Sequence, residues 1–92
     1  MYILTNNKKN ALYTGVTSNL KDRIFKHMTN KYPGSFTARY NLKRLVYFEC
    51  FESIGLAIKR EKQIKAGTRQ RKLDLINQMN PEWNDLSGLL ET

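Results

Sequence analysis

Two tyrosines, Tyr2 and Tyr13, stand eleven residues apart with the turn-rich run Asn6-Asn7-Lys8-Lys9-Asn10 between them. Arg23 and His27 follow, one helical turn apart, and Glu61 comes later, inside a segment of apolar helical periodicity. A phenol takes a proton from water when nearby cations or a metal lower its pKa from the ordinary value of about 10. A guanidinium offsets charge developing on a phosphate, because its fork reaches two oxygens. An imidazole orients or protonates an oxygen near neutral pH. A carboxylate holds a divalent cation. These four groups together suffice to cleave a phosphodiester with one metal ion.

Each group also has an ordinary structural reading. Tyr13 suits a sheet aromatic, His27 a satisfied boundary histidine, and Glu61 an ion pair with a structural arginine such as Arg23. Helical geometry sharpens the comparison. At 100° per residue, with Ile54 at zero, Ala57 falls near about −60°, Ile58 about +40°, Ile64 about −80° and Glu61 about −20°. A carboxylate in that apolar stripe needs a cation or metal to meet it. With Leu20 at zero, Ile24 falls near about +40° and Met28 about +80°, while Arg23 lies near about −60° and His27 about −20°. Arg23 and His27 therefore flank one apolar side. Gly15, two residues after Tyr13, leaves room for a backbone or a phosphate to approach.

The elements that must position these groups follow from the pattern. Residues 1–5 and 11–17 alternate and predict two strands of a hairpin. Asn19 can cap a helix over 20–30, with Asp22 near its positive end. Tyr32-Pro33-Gly34-Ser35 ends that helix and opens a loop. Residues 45–51 are β-branched and aromatic and predict a third strand, in which Cys50 is expected as a small core residue. Ser53 caps a helix over 54–66, with Gly67 as its stop. A further helix runs over 69–79, with Leu73, Leu75, Ile76 and Met79 apolar, and Asn80-Pro81 stops it. Trp83 is expected to dock back on the core. The order β-β-α-β-α-α predicts an α/β (α+β) fold, a three-stranded, mainly antiparallel sheet flanked by helices. One domain over residues 1–92 accounts for the length.

Charge narrows the partner. Sixteen Lys and Arg against eight Asp and Glu give +8, a balance that favours a polyanion, usually nucleic acid. Lys59, Lys62, Lys65, Arg69, Arg71 and Lys72 cluster around Glu61 and predict a phosphate-contact surface. Lys26, Arg39 and Tyr40 are further candidates, with Tyr40 available for stacking on a base or sugar. A solvated basic face is the plainer alternative. No run approaches the roughly 20 apolar residues of a membrane span, and no leader pattern opens the chain. The lone Cys50 has no disulfide partner and no zinc spacing. A cytoplasmic, reducing setting without a membrane partner is expected.

Taken together, these residues resemble the GIY-YIG nuclease superfamily, and within it the small single-domain bacterial YhbQ-like group, related to the nuclease domain of the excision-repair nuclease. The resemblance covers about residues 1–86. It rests on Met1-Tyr2-Ile3 with Tyr13-Thr14-Gly15, on Val16-Thr17-Ser18-Asn19-Leu20, on Arg23 and His27, on Ala57-Ile58-Lys59-Arg60-Glu61-Lys62-Gln63, and on Asn80-Pro81-Glu82-Trp83-Asn84-Asp85-Leu86. It implies a metal-dependent endonuclease acting on DNA, with RNA also open, in repair or recombination. Tyr13 would activate water and Tyr2 would be a second site tyrosine. Arg23 would stabilise the phosphate transition state, and His27 would stand where the family has His or Tyr. Glu61 would be the single carboxylate holding Mg²⁺ or Mn²⁺. A protein partner could supply target specificity. Three positions depart from the pattern. Thr14 replaces Ile, the Gly of the first motif would precede Met1, and Val16 stands where excision-repair relatives carry a lysine. The late family asparagine has Asn77 as its candidate. The alternative is a nucleic-acid-binding module of the same fold with weak or no catalysis.

Overall fold

Strand β1 (Tyr2–Thr5) is buried at every position because it lies between two partners. β2 (Leu12–Gly15) and β3 (Arg44–Phe48) flank it in the order β2-β1-β3, both antiparallel to it. A central strand covered on both faces favours continuous apolar sequence, as in Tyr-Ile-Leu. The computed structural model describes residues 1–9, 11–20 and 42–90. The helix expected over 20–30 and the loop after it, with Arg23, Lys26, His27, Arg39 and Tyr40, therefore lie outside the described residues, Leu20 excepted.

Helix α1 spans Ile54–Ala66 and α2 spans Arg69–Met79, both at the expected bounds. Each begins on a side-chain cap: Ser53 Oγ accepts from the Leu56 N–H at 3.3 Å, and Thr68 Oγ1 from the Arg71 N–H at 3.3 Å. Such caps satisfy N–H groups that the helix itself leaves open. Gly67 N–H closes α1 on Ile64 O, and Asn80 N–H closes α2 on Ile76 O. A short 3₁₀ turn, Ser87–Leu90, ends the described chain.

The sheet divides the core in two. Ile3, Val46 and Tyr47 pack with Ile64 of α1 and Ile76 of α2. On the other side Tyr2 and Leu4 pack with Leu42 and Leu45, and Tyr13, Leu20, Phe48 and Leu86 complete that cluster. A register shift between Ile3 and Leu4 in the β1–β3 pair lets Val46 and Tyr47 share one side, as a bulge does. The tail seals the free edge of β3. Leu86 N–H bonds Leu45 O at 2.7 Å, and Asp85 Oδ1 accepts from Leu45 N–H at 3.3 Å. An occupied edge resists pairing with another chain.

Two expectations are corrected. β3 stops at Phe48, not residue 51. Its last ladder bond runs from Glu49 N–H to Met1 O, after which the chain turns toward Ser53. Cys50 is consequently exposed rather than a core residue, and so is Phe51. Secondly, only Ala57 and Ile64 of α1 are buried. Their centre lies near about −70° on the helical wheel, so Ile54 and Ile58 point roughly 70–110° away, and both are exposed. Met79 is exposed at the end of α2, where Ile76 carries the buried face. Trp83 does dock against the helix-side cluster, as expected.

Candidate functional site

The hairpin register pairs Tyr2 with Gly15 and Leu4 with Tyr13. Tyr2 and Tyr13 are thus diagonal neighbours on one face, the geometry in which long side chains touch across strands. Their ring centroids are 6.3 Å apart with planes tilted by 44°. Tyr2 is fully buried and Tyr13 half-buried. Gly15 makes the arrangement possible. A β-carbon there would stand 2.5 Å from Cζ and Oη of Tyr2 and 2.9 Å from Cε1 of Tyr13. The space left by Gly15 is filled by the Tyr2 phenol, not by a backbone or an open phosphate seat. Among the described site residues, these two tyrosines are the pair the fold brings together.

Glu61 stands on a different element. It lies on α1, whose buried Ile64 belongs to the cluster on the opposite side of the sheet from Tyr2 and Tyr13. α1 packs against β2, the edge strand that carries Tyr13 and Gly15. Burial lowers the pKa of the Met1 ammonium, next to Tyr2, and the charges of Cys50, Glu49 and, least, Glu61 offset part of that. The Glu61 side chain retains 13% exposure and meets Lys65 Nζ at 3.0 Å. Among the described residues its partner is a lysine one turn on, and Arg23 lies outside them. Lys65, expected as a nucleic-acid contact, is engaged by that carboxylate.

Arg60, among the described residues, forms a structural pair with Glu49. Its Nε donates to Glu49 Oε1 at 3.0 Å and its Nη2 to Oε2 at 3.2 Å. Tyr47 Oη donates to the same carboxylate. Burial pushes the Tyr47 phenol up, its hydrogen bond to Glu49 and the charge of Glu49 add to that, and together they carry it to about 12. Burial would raise the Glu49 carboxyl too, but the Arg60 and Tyr47 hydrogen bonds and the Arg60 charge outweigh it and hold the group below the usual range. The Glu49 bond in turn raises Arg60. This network was not foreseen from the sequence. The available signal was one acid in an otherwise apolar strand, two residues from a tyrosine.

The remaining basic candidates divide by burial. Lys59, Lys62, Arg69 and Arg71 are exposed and Lys72 is half-buried. A cavity of about 560 Å³ opens between α1 and α2, lined by Arg60, Arg71, Asp74, Gln63, Gln78, Ile64 and Leu75. Among the described residues no group of three or more His, Cys, Asp and Glu could hold a metal ion, and no helix is long and apolar enough to cross a membrane. Val16 is half-buried.

The late asparagines have structural partners. Asn77 Oδ1 accepts from Trp83 Nε1 at 2.8 Å. Trp83 itself has φ of 55°, a left-handed value that is strained for a bulky residue. Asn80, expected only as a helix stop, is buried. Its Nδ2 donates to Val46 O at 3.2 Å and Asn84 O at 2.8 Å, and its Oδ1 accepts from Asn84 N–H at 3.1 Å.

Comparison with known proteins places the chain in a family. The GIY-YIG catalytic domain matches residues 1–74, a span that holds both tyrosines, Gly15 and Glu61. The chain belongs to the GIY-YIG family, whose catalytic domain is characteristic of nucleases. It is 42% identical over 82 residues to a UPF0213 protein of Syntrophus aciditrophicus, covering 89% of this chain and 92% of that one. It is 39% identical over 71 residues to a UPF0213 protein of Staphylococcus saprophyticus, covering 77% and 85%. A UPF0213 protein of Clostridium perfringens is 44% identical over 70 residues, covering 76% and 74%. No solved structure gives a significant match.

Proposed function

We propose that this protein is a metal-dependent endonuclease that hydrolyses phosphodiester bonds in DNA, in repair or recombination. The observation that carries the reading is the phenol pair seated over Gly15, within the span that matches a nuclease catalytic domain. Tyr13, the more exposed phenol, accepts a proton from the attacking water. Tyr2, fully buried, holds the Tyr13 ring in place and supports the site. Arg23 offsets charge on the scissile phosphate, and His27 orients an oxygen there. Both roles rest on sequence alone. The basic residues Lys59, Lys62, Arg69, Arg71 and Lys72 bind the phosphate backbone, with Lys26, Arg39 and Tyr40 as further contacts. A cytoplasmic setting without a membrane belongs to the same proposal.

Glu61 is the residue that would hold Mg²⁺ or Mn²⁺. Its donor chemistry fits: a single hard carboxylate suits an ion that takes most of its ligands from water and substrate phosphate. When bound, such an ion polarises a phosphoryl oxygen as a Lewis acid. The test is cleavage of plasmid and branched DNA with Mg²⁺ or Mn²⁺, beside Glu61→Ala and Arg23→Ala. Equal cleavage by wild type and Glu61→Ala overturns the reading.

One observation favours a second reading, a nucleic-acid-binding module with little or no catalysis. Val16 supplies no charge where excision-repair relatives place a lysine, and Lys65 already neutralises Glu61. That reading predicts binding that weakens steeply with salt and no metal-dependent turnover.

A further inference from the structure

We infer that Glu49 is a positioning residue for Glu61, acting through Arg60 to set the rotation of α1 about its own axis. This rests on the proposed role of Glu61. Arg60 and Glu61 are neighbours in sequence and about 100° apart around the helix. The buried seam, Ala57 and Ile64, lies between them, so each flanks it on the opposite side. Whatever fixes the direction of Arg60 fixes that of Glu61.

Among the described residues, packing alone gives α1 little to hold its rotation. One small and one large side chain form its buried face, while Ile54, Leu56 and Ile58 are exposed. A smooth, narrow seam of this kind lets a helix roll at small cost, because few knobs interlock. The Arg60 fork supplies what the seam lacks. Two parallel bonds to Glu49, at 3.0 and 3.2 Å, define a direction as well as a distance. Arg60 is only one-third exposed and Glu49 less, so the pair is not a freely solvated one.

Glu49 is itself tied to the strand that carries Tyr2. Its N–H donates to Met1 O at 2.8 Å, and the Met1 nitrogen donates to Glu49 O at 3.1 Å. Tyr47 Oη holds the carboxylate from the side. A continuous set of bonds therefore runs from β1, beside Tyr2, through Glu49 and Arg60 to the backbone turn that carries Glu61. It links one side of the proposed site to the other without passing through the substrate. Arg60 also lines the cavity between α1 and α2, on the far flank from Glu61, as a tether outside the site should.

The experiment compares wild type, Glu49→Gln and Arg60→Lys in the full chain by three readouts. The first is the ¹³C carboxyl resonance of Glu61, assigned with Glu61→Gln. The second is the affinity for Mn²⁺ alone. The third is kcat and KM on a DNA substrate. The expected result is a moved or broadened Glu61 resonance and a kcat lowered about tenfold or more, with KM nearly unchanged, because small misplacements of a reacting group cost rate rather than binding. Arg60→Lys keeps the charge and loses the fork, and should recover only part of the rate. The proposal is overturned if both variants melt earlier yet keep the Glu61 resonance and kcat of wild type, since the tether would then be structural only. If wild type shows neither cleavage nor Glu61-dependent Mn²⁺ binding, the nuclease reading fails. The Glu61 resonance then decides the tether by itself.

Discussion

The phenol of Tyr2 occupies the space that a β-carbon on Gly15 would need, with Cζ and Oη 2.5 Å from that point. Because Tyr2 is central and fully buried, it cannot swing aside. Gly15→Ala should therefore overpack the hairpin and cost about 1–3 kcal/mol. Urea denaturation checks this. A midpoint equal to wild type would show that the phenol is free to move, and the seat would lose its meaning.

The two phenols differ in exposure, and their variants should differ in kind. Tyr13→Phe removes a hydroxyl from a half-buried ring and leaves the fold intact. Loss of a positioned proton acceptor costs roughly 10²–10⁴-fold in rate. Tyr2→Phe should lower stability more and the rate less. Single-turnover cleavage and thermal melting of both variants separate the cases. Equal, small rate losses would remove Tyr13 from the role of base.

Stability should fall at both ends of the pH scale through one network. Glu49 is held below its ordinary value of 4.5, so the native state favours the carboxylate. Its contribution is present above that value and lost as pH falls through the folded pKa. Tyr47 is pushed from 10.0 up to about 12, so the native state favours the neutral phenol. That contribution is complete below pH 10 and lost as pH rises toward 12. Denaturation curves across pH, with tyrosinate absorbance as a second probe, test the signs. In Glu49→Gln both dependences should flatten. A Tyr47→Phe variant with unchanged alkaline stability would contradict the assignment.

Asn80 ties the end of α2, β3 and the tail with three hydrogen bonds. Asn80→Ala leaves Val46 O and the Asn84 backbone O and N–H without these partners, all three at part-buried or buried sites. A loss of about 2–3 kcal/mol is expected, since stranded buried groups forfeit their solvation. The near-UV signal of Trp83, which follows on the same turn, should weaken with it. Full wild-type stability would mean that the tail docks independently of Asn80.

Much of this architecture was legible because local signals agreed. Ser53 and Gly67 bracket α1, and Asn80-Pro81 marks the end of α2. The hairpin followed from alternation on either side of Asn6–Asn10. What misled were residues whose burial depends on a partner element. Cys50 and Phe51 look like strand residues, but the ladder ends at the Glu49–Met1 bond. Ile54 and Ile58 look like core, but the sheet meets α1 along Ala57 and Ile64. The periodicity of α1 gave a stripe without its centre. At the site, the nearness of Tyr2 and Tyr13 was readable from spacing. The Lys65–Glu61 and Arg60–Glu49 pairs were not, because several cations compete for two acids and only the fold chooses between them.

The central claim is that Glu61 holds a divalent cation for phosphodiester cleavage. Its most direct test is the single-turnover rate of DNA cleavage against Mn²⁺ concentration, for wild type and Glu61→Ala purified in parallel. The account predicts a saturable, metal-dependent rate in wild type and loss of that rate in Glu61→Ala at matched thermal stability. A Glu61→Ala protein that cleaves as fast as wild type, with the same metal dependence, would contradict it.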